Sequence, residues 1–165
     1  MIFIALGANL RSRAGMPAQT LDAALAEIAR CGPKLIAVSP YYVTPAWPDP
    51  ADPPFVNAVA CIESGEPPQT LMELLHATET AFGRRRTVKN APRTLDLDLL
   101  DFDGRVEQGP PTLPHPRLAE RAFVLVPLAD IAPEWIHPVT GKSVRELIDG
   151  LPPDARKIER LTSRA

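Results

Sequence analysis

The residues TLDLDLLDF, 94–102, form the clearest strand pattern in the chain. Apolar and acidic residues alternate there, and Asp103-Gly104 follows, so the segment predicts a β-strand that ends in a tight turn. Successive side chains of a strand point to opposite faces of the sheet. One face is expected to carry three leucines: Leu95, Leu97 and Leu99. The other is expected to carry two carboxylates and two apolar side chains: Asp96, Asp98, Leu100 and Phe102.

Five further elements are expected upstream of this strand. In chain order they are a strand at Met1–Leu6 with a turn at Gly7-Ala8-Asn9, a helix at Pro17–Ala29, strands at Leu35–Val43 and Phe55–Glu63, and a helix that begins at Pro67-Pro68 and ends at Gly83. Apolar residues recur at helical spacing in the two helices. Five prolines between Pro45 and Pro54 predict a stiff loop. The order β-α-β-β-α-β is typical of a ferredoxin-like, α+β fold, in which helices pack on a mainly antiparallel sheet.

The rest of the chain is expected to add to this core. A proline-rich stretch at Gly109–Pro116 precedes partly helical residues at Ala122–Leu128 and Asp130-Ile131. A short helix from Val144 and a short edge segment are expected after them. The length predicts a single domain over residues 1–165, with a core large enough to fold without disulfides.

The composition excludes several classes of protein. With 45% apolar residues and a net charge of −2, the chain is neither disordered nor a general nucleic-acid binder. The apolar run Met1–Leu6 is too short to cross a membrane. Cys31 and Cys61 make no disulfide framework, and we expect them to be inert core thiols of a protein in the reducing cytoplasm.

The two aspartates of the TLDLDLLDF strand are the leading candidates for chemistry. Asp96 and Asp98 are expected on one face, roughly 6–7 Å apart at Cα. Either that face is wet and the carboxylates are merely solvated, or its apolar residues are partly covered and the carboxylates need a cation. Mg²⁺ prefers oxygen ligands and is usually held by one or two carboxylates and substrate phosphates. The sequence therefore predicts a magnesium site at Asp96 and Asp98.

A basic segment lies directly before this strand. It contains five basic side chains and no acidic one: Arg84, Arg85, Arg86, Lys89 and Arg93. Such a run is either a solvated loop or a phosphate-binding one, because arginine presents a planar fork that matches phosphate. Its position beside the carboxylates favours phosphoryl transfer, in which metal ions and arginines neutralise phosphate charge. Thr140-Gly141-Lys142-Ser143 is not a phosphate loop, since Ile136 stands where that motif requires glycine.

Three other residues are candidates for ligand binding. His115 lies between Pro114 and Pro116, which fix its backbone as a positioned donor requires, although a single histidine more often has no role. Phe55 and Phe123 are either ordinary core residues or a pair of rings that holds a flat ligand.

Over nearly its whole length the chain resembles the 6-hydroxymethyl-7,8-dihydropterin pyrophosphokinases of folate biosynthesis. The most specific match is APRTLDLDLL, Ala91–Leu100. The other matching motifs keep the order and spacing of the family: Leu6–Leu10, Tyr42–Pro45, Phe55–Ala58, Glu79–Arg84, Pro114–Leu118, Arg121–Leu128 and Ile131–Pro133. The resemblance implies the same ferredoxin-like fold.

The resemblance also implies a reaction, in which a diphosphate moves from ATP to the hydroxymethyl group of the reduced pterin and AMP is released. Two Mg²⁺ ions are the implied cofactors, with Asp96 and Asp98 at the metal-ligand positions. The catalytic positions correspond to Arg84, Arg93, Asp96 and Asp98. The ATP-binding positions correspond to His76, Glu79, Arg84, Arg86, Arg93, Leu99, Thr112, His115 and Arg121. The pterin-binding positions correspond to Thr44, Pro45, Phe55, Asn57, Asp96 and Phe123.

One departure from the family concerns the loop before the carboxylates, which reads KNAPR at Lys89–Arg93 where members often have RWGPR. The loop is also one residue shorter, and the usual tryptophan lid is absent, so closure is expected to differ. One rival interpretation is a non-catalytic ferredoxin-like module that binds nucleic acid or nucleotide; another is an inactive relative. Asp96 and Asp98 argue against both. We expect a cytoplasmic monomer without an obligatory protein partner.

Overall fold

The computed structural model describes residues 1–85 and 88–162, which contain both helices and strands. In chain order they are β1 (Ile2–Ala8), α1 (Pro17–Arg30), β2 (Lys34–Val38), β3 (Tyr42–Thr44), β4 (Phe55–Glu63), α2 (Pro68–Ala81), β5 (Asp96–Phe102), β6 (Glu107–Gln108), β7 (Thr112–Leu113), α3 (Ala122–Ile131), α4 (Val144–Asp149) and β8 (Glu159–Arg160). The predicted βαββαβ order is confirmed, and the elements after β5 are the C-terminal additions.

The main sheet has the strand order β5-β1-β4-β3-β8, and β2 also pairs with β4. All of these pairings are antiparallel. The strand predicted at Leu35–Val43 is wrong as a single element, because Pro40 has no N–H for a ladder and separates β2 from β3. The turn predicted at Gly7-Ala8-Asn9 is wrong at its first two residues, because β1 runs through Ala8.

Proline begins both long helices, at Pro17 in α1 and Pro68 in α2. Proline suits this position because the first helical N–H groups have no partner within the helix. Gly83 follows α2 with φ +86°, a left-handed conformation that glycine adopts without strain. The chain therefore turns sharply after α2 and enters the basic segment.

Helices cover both faces of the sheet and enclose two cores. On one face α1 and α2 bury leucines such as Leu21, Leu75 and Leu97. On the other face α3 and α4 bury Phe3 of β1 and Leu125 of α3. The predicted helical residues at 122–131 form one continuous helix, α3.

A β-bulge in β5 changes which face its last residues occupy. Phe3 pairs with Asp101 and Ile4 with Leu99, so Leu100 is an extra residue between two paired ones. Phe102 therefore lies in the core under α1 and α2, and its predicted place on the aspartate face is wrong. Asp101 faces the other core, where its carboxylate accepts the Trp135 Nε1–H at 2.8 Å.

One of the two cysteines predicted in the core lies there. Cys61 is a buried thiol, as predicted, but Cys31 is exposed directly after α1, so the expectation of a core thiol is wrong there. Both are free. Among residues 1–85 and 88–162, no helix is long and apolar enough to cross a membrane.

We expect Leu97→Ala to lower the free energy of unfolding by about 2–5 kcal/mol, because the substitution opens a cavity in a fully packed core. Leu97 is 1% exposed. The matched control is Leu35→Ala on β2, where the side chain is 37% exposed and the expected loss is about 1 kcal/mol or less. Urea denaturation measures both, and equal losses would contradict the buried position of Leu97.

Candidate active site

A row of directly paired residues crosses four strands at one end of the sheet. Gly7 of β1 pairs with Asp96 of β5 on one side and with Asn57 of β4 on the other, and Asn57 pairs with Tyr42 of β3. Paired side chains share a face, here the face on which α3 packs. Gly7 has no side chain, and its neighbours in the row lie close to the place that one would occupy: a Cβ there would lie 3.2 Å from Asn57 Oδ1 and 4.0 Å from Asp96 Cβ.

Asp96 is surrounded by cationic side chains from the segment that follows α2. Arg84 Nη1 donates to Asp96 Oδ1 at 2.6 Å, and Arg93 Nη1 lies 3.5 Å from Asp96 Oδ2. The same Arg84 nitrogen donates to Glu79 Oε1 at 2.5 Å, and that oxygen also accepts the Leu97 N–H at 2.8 Å. Burial alone would lower the pKa of Arg84, but the Asp96 and Glu79 carboxylates raise it above its ordinary value. Arg84 therefore stays charged and links α2 to the start of β5.

Asp98 lies two residues further along the same strand face, beside His115 and Arg121. His115 Nε2 is 3.9 Å from Asp98 Oδ1, and Arg121 Nη1 is 3.4 Å from Asp98 Oδ2. Burial raises the pKa of Asp98, and the Asp96 carboxylate raises it further. Burial likewise lowers the pKa of His115. The Arg117 N–H donates to His115 Nδ1 at 3.1 Å, so Nε2 is the nitrogen that faces the carboxylate.

Phe55 and Phe123 place aromatic rings beside these charges. Phe55 is the first residue of β4, and Phe123 is the second residue of α3. The Arg93 guanidinium lies 5.6 Å from the Phe55 ring centroid, and the Arg121 guanidinium lies 5.5 Å from that of Phe123. Since the same two arginines contact the two carboxylates, the rings and the carboxylates form one site.

The Asn57 amide oxygen lies close to Gly7. Asn57 Nδ2 donates to Thr44 Oγ1 at 2.8 Å, and both side chains are buried. This bond fixes the amide, and Asn57 Oδ1 is the nearest atom to the vacant Cβ direction of Gly7. Pro45, the next residue after Thr44, is exposed at the start of the proline-rich loop.

The other predicted ATP-binding residues have varied environments. His76 is exposed on α2, whereas Glu79 is 2% exposed and engaged as described above. The Leu99 side chain lies in the core under α1 and α2, so the backbone is the part of Leu99 left for a ligand. Thr112 is exposed in the β6–β7 hairpin. Arg86 lies outside the described residues, and the nucleotide roles of all five stay predictions.

Asn9 is a site residue to which the sequence analysis gives no role. Asn9 Oδ1 accepts the Arg93 N–H at 2.8 Å, and Asn9 Nδ2 donates to the Pro53 carbonyl at 3.0 Å. The N–H groups of Asn9 and Leu10 both donate to the Arg93 carbonyl. This buried asparagine therefore ties the proline-rich loop to the basic segment. The available signal was a polar residue directly after a wholly apolar strand.

Paired carboxylates among arginines are typical of enzymes that transfer phosphoryl groups, in which metal ions and arginines neutralise phosphate charge. The family model for 7,8-dihydro-6-hydroxymethylpterin-pyrophosphokinase (HPPK) matches residues 3–133. The chain belongs to this family, and it is a pyrophosphokinase of folate biosynthesis. The family membership gives no support to a non-catalytic nucleic-acid-binding module.

Curated relatives agree with the family model. Three are named 2-amino-4-hydroxy-6-hydroxymethyldihydropteridine pyrophosphokinase. The Pseudomonas aeruginosa protein is 40% identical over 97% of this chain and 96% of its own length. The Methylorubrum extorquens protein is 37% identical over 96% and 97%, and the Synechocystis protein is 39% identical over 88% and 73%.

A solved structure, described as Plasmodium falciparum HPPK-DHPS wild type, matches the fold with a TM-score of 0.65. The match covers 88% of this chain at 14% identity, so it shows the fold alone. This chain spans 43% of that longer one.

We expect Asn9→Ala to loosen both segments that the asparagine joins. The substitution leaves the partly buried Arg93 N–H without its acceptor, which costs about 1–3 kcal/mol in the free energy of unfolding. Hydrogen exchange measured by mass spectrometry is expected to quicken in residues 45–54 and 88–93. Gln69→Ala on α2 is the control, because Gln69 bonds only within its own helix turn, to Glu73. Unchanged exchange in both segments would show that Asn9 does not couple them.

Proposed function

We propose that this protein transfers a diphosphate from ATP to the hydroxymethyl group of 6-hydroxymethyl-7,8-dihydropterin and releases AMP, with Mg²⁺ bound at Asp96 and Asp98. The observation that carries the proposal is the row of paired residues centred on Gly7. Carboxylates and arginines lie on one side of Gly7, and an amide and aromatic rings lie on the other. The first side suits a metal-bound polyphosphate, and the second suits a flat polar heterocycle.

The two carboxylates fit divalent cations. Each side chain is 29% exposed, so solvent and ions reach both. Bound cations would offset the burial and the mutual repulsion that raise the pKa of Asp98. No three metal-ligating side chains cluster among the described residues, and Mg²⁺ usually completes its coordination with water and substrate phosphates. We propose two ions; when bound, they neutralise charge on the phosphate oxygens.

Three arginines and one histidine are proposed to bind the triphosphate: Arg84, Arg93, Arg121 and His115. Each now lies beside Asp96 or Asp98. Cations at the carboxylates would replace these side chains as counter-charges and free them for phosphate oxygens. Arg93 Nε is buried and has no hydrogen-bond partner in the described part of the chain, so a movement of this side chain toward phosphate would break no bond at that atom. Arg86 is proposed to join the four by resemblance alone.

The chain's residues would then hold the reactants in line. The pterin hydroxyl oxygen attacks the β-phosphorus, and its proton passes to water. The bond from that phosphorus to the bridging oxygen of the α-phosphate breaks, and AMP leaves with the bonding electrons. The arginines stabilise the charge that develops on the transferred group and on AMP. Because the residues position and neutralise rather than react covalently, most of the expected rate enhancement comes from proximity and electrostatics.

The pterin is proposed to lie over Gly7, between the rings of Phe55 and Phe123. Offset stacking on both faces suits a flat heterocycle. Asn57 Oδ1 faces this space and accepts from a ring N–H or amino group, while Thr44 keeps the amide in that orientation. Pro45 contributes backbone at the edge of the ring.

The setting of the enzyme is also proposed. We infer one domain over residues 1–165 that acts as a monomer in the cytoplasm. Two free cysteines, one of them exposed, suit a reducing compartment. Light scattering of the purified protein checks the monomer, since a dimer would double the mass.

Nucleotide analysis tests the reaction. With Mg²⁺ and ATP, we expect AMP to form only when the pterin is present, and EDTA to stop it. Asp98→Asn is expected to lower AMP formation at least about a thousandfold, because it removes a metal ligand and leaves the fold intact. Asp103→Asn is the matched control, because Asp103 lies in the exposed turn at the end of the same strand.

Two outcomes would contradict the proposal. ADP in place of AMP would mean attack at the γ-phosphorus, and full activity of Asp98→Asn would remove the metal assignment.

We expect Gly7→Ala to weaken pterin binding without loss of the fold. The new methyl group would lie 3.2 Å from Asn57 Oδ1 and 3.8 Å from the Phe55 ring, in the space proposed for the pterin. The KM for the pterin is expected to rise about tenfold or more, while that for ATP changes less than about twofold. Ala8→Gly, at the adjacent position on the opposite face of β1, is the control. A normal pterin KM in Gly7→Ala would place the pterin elsewhere.

A further inference from the structure

Three side chains, one each from β3, α3 and β8, meet away from Asp96 and Asp98. Tyr42 of β3 donates its hydroxyl to Asp130 Oδ2 at 2.6 Å. Arg160 of β8 donates to Asp130 Oδ1 at 2.9 Å and to the Tyr42 hydroxyl at 3.0 Å. The Arg160 guanidinium also lies 5.8 Å from the Tyr42 ring centroid. We refer to Tyr42, Asp130 and Arg160 as the β3 cluster.

The β3 cluster is joined to the active site through the sheet. Tyr42 is the fourth residue of the cross-strand row and pairs directly with Asn57. On its other side Tyr42 pairs with Arg160, so β8 covers the edge of β3 that would otherwise be open. Tyr42 is 3% exposed, so its ring is packed as tightly as the core.

The β3 cluster is joined to the site a second time through α3. Asp130 is the ninth residue of α3, and Phe123 is the second, so the cluster fixes one end of the helix whose other end carries the aromatic ring. Pro127 lies within α3 and cannot donate a backbone hydrogen bond to the Phe123 carbonyl. The first turn of α3 therefore depends more on tertiary contacts than an unbroken helix does.

Arg160 lies beyond the residues that the family model matches, which end at 133. Its neighbour Leu161 donates its N–H to the Tyr41 carbonyl at 2.8 Å and continues the pairing of β8 with β3. The C-terminal segment of this chain thus supplies one of the three members of the cluster.

We propose that Tyr42, Asp130 and Arg160 are positioning residues for the reaction: they hold α3 against β3 and thereby set the distance between the Phe123 ring and the row that carries Asn57. This inference rests on the proposed function, because it assigns the consequence to pterin binding. Phe123 lies within α3, whereas Arg121 lies before its first residue, so the effect is expected on the pterin rather than on ATP.

Adjacent tyrosines provide a matched test. Tyr42→Phe removes the hydroxyl that reaches α3. Tyr41→Phe removes the neighbouring hydroxyl, which donates to Asp22 of α1 at 2.5 Å on the opposite face of the sheet. Both residues are 3% exposed, so the two substitutions are alike in chemistry and burial. Arg160→Gln is a third variant, which keeps the Tyr42–Asp130 bond and removes the contacts of the Arg160 guanidinium.

Two readouts separate positioning from general loosening. In steady-state assays, Tyr42→Phe is expected to raise the KM for the pterin about three- to tenfold, the size expected from one lost hydrogen bond, with the KM for ATP within about twofold. Arg160→Gln is expected to raise the pterin KM less, and Tyr41→Phe to leave it unchanged. In hydrogen exchange, the amides of residues 123–128 are expected to exchange faster in Tyr42→Phe than in Tyr41→Phe.

The inference is overturned if Tyr42→Phe and Tyr41→Phe shift both KM values equally, or if Tyr42→Phe leaves the pterin KM and the exchange of α3 unchanged. It fails independently of the proposed function. A wild-type protein that forms no AMP would refute the function, whereas the exchange comparison would still show whether the β3 cluster holds α3.

Discussion

Two like charges two residues apart on one strand are the constraint on which this end of the molecule depends. Asp96 and Asp98 share a face of β5, and burial adds to their repulsion, as the raised pKa of Asp98 shows. The surroundings compensate with arginines from separate parts of the chain, Arg84, Arg93 and Arg121, and His115 lies beside them. Two buried like charges lower the stability of the folded state. Pairs of this kind, with shifted pKa values, are typical of functional sites.

The antiparallel register places the rest of the site around those charges. One row of paired residues brings Gly7, Asn57 and Tyr42 into line with Asp96. Because glycine stands in the middle of that row, no side chain separates the Asp96 carboxylate from the Asn57 amide. The loops supply arginine side chains to the site. The hydrogen bonds of Asn9 join two of these loops to the end of β1.

Local patterns were enough to predict the order of the main helices and strands along the chain and the position of the carboxylate pair. Alternation fixes which side chains share a face over a few residues. The alternation of β5 failed at Phe102, where the bulge at Leu100 arises from pairing with β1 and leaves no mark in the local sequence. The resemblance named Glu79, but its buried bond to the Leu97 N–H depends on how α2 packs on β5. The contacts of Asn9 and Tyr42 likewise join residues 44 to 118 positions apart, which no local pattern encodes.

Both reactants are proposed to meet beside Gly7, with Asp96 and Asp98 as the metal ligands. The most direct test is a crystal structure with Mg²⁺, the pterin and an ATP analogue whose α,β-bridging oxygen is replaced by methylene, which blocks release of AMP. We expect metal density at Asp96 and Asp98, phosphates on the arginines that now contact these carboxylates, and the pterin between Phe55 and Phe123. A pterin bound away from Gly7, or metal ions held without either aspartate, would contradict the account.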